Sequence, residues 1–254
     1  MKRNIFTFLV LAALVLAALP TGNVLADADV LGPIASAVTP TPNPATVNTD
    51  VTVTATVDDS TTGAATIQSA DYSIDGGATW AAMSAVDGTF NGVSENVTAT
   101  FTLAQAGDIQ VCVRGTDALN NVGTPVCAAL TGQYLYDFDG FRSPIKMGVA
   151  NNAKGGRTVP VKWVLTFTAD GKPVTDPASV VGLWSYQVDC VTLVGDPASA
   201  VEAKSPGKSG LRYQNKGKWI FNWKTEKAYS GTCRLFFVEF SDGQNSPTVQ
   251  FNFR

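Results

Sequence analysis

Four cysteines divide evenly between the two halves of this chain, Cys112 and Cys127 in the first and Cys190 and Cys233 in the second. Each pair comes late in its own run of strand-like sequence. Four cysteines allow three connectivities. The local one, Cys112–Cys127 and Cys190–Cys233, is the simplest, because each bridge then stays within one half. The pattern reads as two β-domains, each with one internal staple that contributes roughly 3 kcal/mol on a chain-entropy model. A zinc site is disfavoured by the absence of CxxC spacing and of any histidine.

The start of the chain places it in an oxidising compartment. Lys2 and Arg3 precede an apolar stretch from Ile5 to Leu19, followed by Pro20 and the small-residue site Val24-Leu25-Ala26 before Asp27. A basic start, an apolar middle and small residues at the junction make a secretory signal peptide over residues 1–26. The apolar stretch is short for a membrane span, and no later run is long enough for one. No cysteine follows the junction to carry a lipid, and the ending Val249-Gln250-Phe251-Asn252-Phe253-Arg254 alternates like a strand rather than a wall-sorting tail. The expectation is a secreted or cell-surface protein with no membrane span after signal cleavage, in a setting where disulfides persist.

Length and composition narrow the classes further. The remainder of the 254 residues suffices for two domains of about a hundred residues each. Without histidine, Ser-His-Asp and Cys-His catalysis are removed, while carboxylate, lysine or tyrosine chemistry stays open. From Asp27 to Leu130 the chain has many carboxylates, one arginine (Arg114) and no lysine; from Thr131 onward cations outnumber carboxylates. An acidic first domain and a basic second one are each soluble, and their opposite signs also favour docking or head-to-tail association.

Strand signals run throughout. Residues 27–50 hold Thr39-Pro40-Thr41-Pro42-Asn43-Pro44, an extended proline-rich lead-in or edge strand. Val51-Thr52-Val53-Thr54-Ala55-Thr56-Val57 alternates as a half-buried strand does. Further strands are expected over 67–74, 79–83, 97–103, 109–114 and 125–130, with Asp75-Gly76-Gly77 as a hairpin turn. This is an acidic β-sandwich over 51–131. Beyond it, Val159, Val161 and Trp163 alternate with Pro160 and Lys162. Trp219, Phe221 and Trp223 alternate with Ile220 and Asn222, and Phe251 and Phe253 continue the pattern. These aromatics supply the core of a basic sandwich over 132–254, at roughly 1.5–3 kcal/mol per fully buried large side chain. No helix of ordinary length is evident.

The segments Asp71-Tyr72-Ser73-Ile74-Asp75-Gly76-Gly77-Ala78-Thr79-Trp80, Val111-Cys112-Val113-Arg114-Gly115-Thr116-Asp117 and Asn120-Asn121-Val122 make the first domain resemble the bacterial immunoglobulin-like domains of secreted and surface proteins. The second half carries Asp139-Gly140-Phe141-Arg142-Ser143-Pro144, Lys154-Gly155-Gly156-Arg157-Thr158-Val159-Pro160-Val161-Lys162-Trp163, Trp223 through Arg234, and Ser241-Asp242-Gly243. It is similar to the PxKF domain, a small β-module of secreted bacterial proteins. Pro160, Lys162 and Trp163 stand at the eponymous positions, with tryptophan in place of phenylalanine, and Tyr229 stands where tryptophan is expected. The resemblances imply an all-β chain of two tandem immunoglobulin-like antiparallel β-sandwich domains after a signal peptide, in an accessory, non-catalytic role. Cys233 lies in the recognisable Gly231-Thr232-Cys233 segment, which makes its pairing with Cys190 a specific expectation.

Four constellations are candidates for chemistry. Ser73 to Trp80 fits the Asp-box pattern, in which Asp75 and Gly77 hold a turn over Trp80, and reads as structural. Asp58, Asp59 and Asp117 lie in loops at the ends of the first sandwich. They read as solvated turns, or as a weak calcium site without EF-hand spacing; no other cofactor is expected. Lys204, Lys208, Arg212, Tyr213 and Lys216, with Lys218, Lys224 and Lys227 beyond, form a basic run interleaved with Trp219 and Trp223. It reads as a rim above core tryptophans, or as a polymer-binding surface. Lys162 reads as an outward strand residue whose stem covers apolar surface.

The leading expectation is a secreted, non-catalytic module for adhesion, spacing or ligand presentation, with an extracellular protein or glycan as partner and no nucleic acid. The alternative is a carbohydrate-binding module stacking sugars or an anionic wall polymer on exposed Trp80, Trp184 or Tyr213. The third is a glycoside hydrolase with paired carboxylates.

Overall fold

The computed structural model describes residues 29–207 and 209–254. The expected signal peptide over 1–26 and Lys208 of the basic run lie outside the described residues. The first half contains β1 (Ile34–Thr41), β2 (Ala45–Thr46), β3 (Asp50–Asp58), β4 (Ile67–Ser73), β5 (Ala81–Ala82), β6 (Ser84–Ala85), β7 (Ser94–Thr102), β8 (Gly107–Asp117) and β9 (Val126–Gln133). The second contains β10 (Tyr136–Arg142), β11 (Asn151–Ala153), β12 (Thr158–Phe167), β13 (Val180–Val188), β14 (Val201–Glu202), β15 (Arg212–Asn215), β16 (Lys218–Lys224), β17 (Cys233–Phe240) and β18 (Val249–Phe253). Helical backbone among the described residues is confined to short 3-10 turns. No described helix is long and apolar enough to cross a membrane.

Each half is a two-layer, mostly antiparallel sandwich, with one parallel pair in each (β2–β9 and β11–β18). In the first, the sheet β1-β3-β7-β6 faces the sheet β2-β9-β8-β4-β5. Val51, Val53 and Val57 of β3 point inward and the intervening threonines outward, as alternation requires. They meet Val97 and Phe101 from β7, and Val111, Val113 and Leu130 from the facing sheet. Part of this sandwich comes from the 27–50 segment. Its Ile34–Thr41 is the edge strand β1, with Pro40 opposite Val53; Pro42 and Pro44 fall in the bend that follows, and Ala45–Thr46 runs parallel to β9. An edge tolerates proline because one side of the strand has no ladder to complete.

In the second sandwich the sheet β10-β12-β16-β15 packs on β11-β18-β17-β13-β14. Trp163 of β12 lies directly opposite Trp219 of β16, and both are fully buried. Trp223 reaches the other layer, with ring centroids 5.1 Å from Phe236 and 5.4 Å from Phe251. Trp219 Nε1 donates to the Val174 carbonyl at 3.1 Å, whereas buried Trp163 Nε1 has no partner among the described residues. Pro160 sits where β10 has already ended, since the β10–β12 ladder stops at Arg142 opposite Lys162. The missing proline N–H therefore breaks no bond on that side.

Both disulfides form with the local connectivity, Cys112–Cys127 and Cys190–Cys233. Each joins neighbouring strands of one sheet. Cys112 faces Cys127 across β8 and β9, and Cys190 follows β13, whose Val188 faces Cys233. Neither bridge ties the two layers together, so interlayer cohesion rests on the apolar cores. Asp242 stands at the junction of the halves: Oδ2 accepts from Tyr136 N at 3.0 Å, and its carbonyl accepts from Asn48 Nδ2 at 3.1 Å.

Two outcomes follow from this architecture. Trp223→Ala is expected to destabilise the second sandwich by about 3–5 kcal/mol, measured by denaturant unfolding. Replacing Cys190 and Cys233 by alanine should cost somewhat more than replacing Cys112 and Cys127, because separations of 43 and 15 residues correspond to about 4 and 3 kcal/mol of loop entropy. Calorimetry of the two double variants checks the order.

Candidate functional site

The outward face of the sheet β10-β12-β16-β15 gathers cations from distant parts of the chain. Inward Val161, Trp163 and Leu165 force Lys162 and Val164 to the opposite face. Inward Trp219, Phe221 and Trp223 do the same for Lys218, Ile220, Asn222 and Lys224. Register then aligns Arg142 with Lys162, Lys162 with Ile220, and Ile220 with Arg212 in one rung across four strands. At the usual strand spacing this rung spans about 14 Å. Val164 and Lys218 form an adjacent rung. Between the flanking strands lies an open groove of about 550 Å³, with Arg142, Ser143, Lys162, Gln214 and Lys218 along it and no carboxylate in its lining. Asp139, which pairs with the Arg142 guanidinium, lies outside it, at the bulged edge of β10.

The expected polymer-binding residues divide. Arg212 belongs to this face. Lys216 is exposed at the tip of the β15–β16 hairpin, where Lys216 and Gly217 both have positive φ (46° and 74°), as a type I′ turn requires. A side chain at Gly217 would also come within 2.8 Å of the Leu165 carbonyl. Tyr213 turns inward and packs edge-on against Trp219 at 5.5 Å. Lys204 lines a separate cleft with Glu202, Lys224 and Glu226. Arg142 and Gln214, and their place beside the outward Lys162, are invisible to a local reading, because these residues join through strand register across up to 76 positions between Arg142 and Lys218. The alternation around Lys162 was the one local signal.

The Asp box folds as its residue types dictate. Asp75 Oδ1 accepts from Ser73 Oγ at 2.7 Å and from Thr79 N at 2.9 Å, and Oδ2 accepts from Thr79 Oγ1 at 2.6 Å. Hydrogen bonds from the Thr79 side chain first, then from its backbone and from Ser73, hold the carboxyl well below its ordinary range. Arg114 lies 4.1 Å from the Trp80 ring centroid and 3.3 Å from Asp71. The first half's single described cation thus covers one face of the tryptophan. Trp80 lies in the loop before β5, whereas Trp184 and Tyr213 belong to the two opposed sheets of the second sandwich, so the three form no common stacking platform. Trp184 is half-buried, with Nε1 donating to Glu239 at 2.8 Å.

The acidic loops also resolve into turns. Asp58 Oδ1 accepts from Ser60 N at 2.8 Å. Asp59 and Asp117, both fully buried, meet Asp29 rather than Asp58, with carboxylate oxygens within 4.8 Å of one another. Asp59 accepts from Thr62 Oγ1 and Ala65 N, and Asp117 from Leu119 N, Asn121 N and Asn121 Nδ2. Burial pushes the Asp117 pKa up, but the bonds from Asn121 and Leu119 prevail and the pKa ends below the ordinary carboxylate value.

No family model matches the chain, and no curated protein matches it. Among solved structures, it is similar to the fibronectin(III)-like modules of Clostridium thermocellum CbhA at 11% identity, over 85% of this chain and 92% of that one, with a TM-score of 0.28. The I67–I69 fragment of the titin I-band gives 10% identity, 88% and 65% coverage and a TM-score of 0.29. The FN1–FN3 domains of chicken CNTN1 give 12%, 82% and 62%, and 0.28.

Asp75→Ala is expected to lower the melting temperature of the first sandwich at neutral pH. A depressed native pKa stabilises above the unfolded value and is lost as pH falls, so the difference from wild type should shrink below the ordinary carboxylate value of 3.8. Thermal unfolding of both proteins from pH 7 to pH 2.5 measures it.

Proposed function

We propose that this protein is a secreted, non-catalytic adhesion module, in which the second sandwich contacts an anionic partner and the first serves as a spacer. The observation that carries this reading is the carboxylate-free groove, with Arg142, Lys162 and Lys218 along it and Arg212 completing its rung. Strong like charge on a rigid face is stable because solvent screens it, and it is available to counter-charges on a partner. The resemblance of the second half to PxKF modules supports the same accessory role, with Trp163 and Trp223 as core residues and Lys162 as a surface cation.

The two disulfides support an extracellular location.

The test is retention of the full chain on an immobilised polyanion. Binding is expected at low salt, with elution as ionic strength rises. The double reversal Lys162→Glu, Lys218→Glu should abolish retention, while reversal of Lys172, which pairs with Asp170 away from the groove, should leave it nearly unchanged. Equal retention of all three proteins would remove the reading.

A further inference from the structure

We infer that the groove on the second sandwich binds a linear acidic polysaccharide, lying across the strands between β10 and β15. This rests on the adhesion reading and names its ligand class. The rung Arg142–Lys162–Ile220–Arg212 presents three cations, of which Arg142 is paired with Asp139, and one branched apolar residue in a row. Gln214 and Ser143 flank it with amide and hydroxyl groups. Asn222 faces the same way, opposite Pro160. Alternating charge and neutral hydrogen-bonding groups suit a polymer that alternates carboxylate or sulfate groups with hydroxyls.

The same face argues against other polyanions. Sequence-tolerant binding of single-stranded nucleic acid relies on aromatic platforms beneath the bases. Here Trp163, Trp219 and Trp223 are fully buried, and Tyr213 packs inward on Trp219. A protein partner of ordinary affinity would need a desolvated apolar centre with aromatic anchors. The outward apolar residues in register here are Pro160, Val164 and Ile220, all half-buried. Neutral sugars usually need a stacking ring, and the tryptophans that line this groove, Trp163 and Trp219, are fully buried, so charge is the main source of affinity and hydrogen bonds are the source of selectivity.

The test is isothermal titration of the full chain with polygalacturonate oligosaccharides, compared with polyglutamate, oligo-dT and neutral dextran. Polygalacturonate is expected to bind at least about tenfold more tightly than polyglutamate or oligo-dT at equal charge, and dextran not at all. Arg212→Gln should weaken all polyanions by a similar factor, since an exposed cation contributes charge only. Gln214→Ala should weaken polygalacturonate about three- to tenfold and leave polyglutamate unchanged. Both positions are exposed, and circular dichroism verifies folding of the variants. Equal affinity for all polyanions with no effect of Gln214→Ala would overturn the inference and leave the adhesion reading standing. Binding to none of them would overturn both.

Discussion

Trp163 lies directly opposite Trp219 at the centre of the second sandwich, and the character of both faces of that sheet depends on this pairing. A strand has a period of two, so a slip of one residue would exchange its faces. Burying two indoles in register therefore also fixes Lys162, Val164, Lys218 and Ile220 on the outside. Burial of each large ring contributes roughly 1.5–3 kcal/mol, far more than separation of a few solvated lysines costs. The apolar term wins, and the cationic face is its consequence. The groove is thus held by the core beneath it, which keeps its cations in place without a ligand.

The first sandwich solves the same problem with smaller residues. Its core is mainly valine, alanine and leucine, with Tyr72 stacked on Phe101 as its aromatic contact. Its acidic groups are spent locally: Asp59, Asp75 and Asp117 accept several backbone and hydroxyl donors each, and so close turns. Arg114 bridges Asp71 and Trp80. The two halves carry opposite charge but use it differently, the first to shape its loops and the second to form a surface.

The staples and the junction fit this division. Disulfides between adjacent strands reinforce a ladder that already exists, which leaves the interlayer contact to side-chain packing. At the junction, Asp242 accepts from both Tyr136 and Asn48, so one buried carboxylate residue links the first strand of the second sandwich to a loop of the first. Its place in Ser241-Asp242-Gly243 is recognisable in sequence, but its partners lie more than a hundred residues away.

The alternating valines of β3 and aromatics of β12 and β16, the glycine-marked turns and the cysteine pairs were all legible in the amino-acid sequence, because each rests on neighbours within a strand or hairpin. So were the inward tryptophans and the Asp-box turn. The strand role of Ile34–Thr41 was less so, since prolines suit both a free lead-in and an edge, and only pairing with β3 distinguishes them. The acidic trio and the cationic groove were legible only in part, Asp59 and Asp117 in one and Lys162, Arg212 and Lys218 in the other. Asp29 replaces Asp58 beside Asp59 because the segment ahead of β1 and the ends of β3 and β8 meet there. Arg142 joins Lys162 and Arg212 because four strands align in one register. Sequence by itself determined which residues face inward, through local periodicity. Tertiary structure decided which outward residues become neighbours, because that depends on strand order and register, and these follow from packing of the whole core.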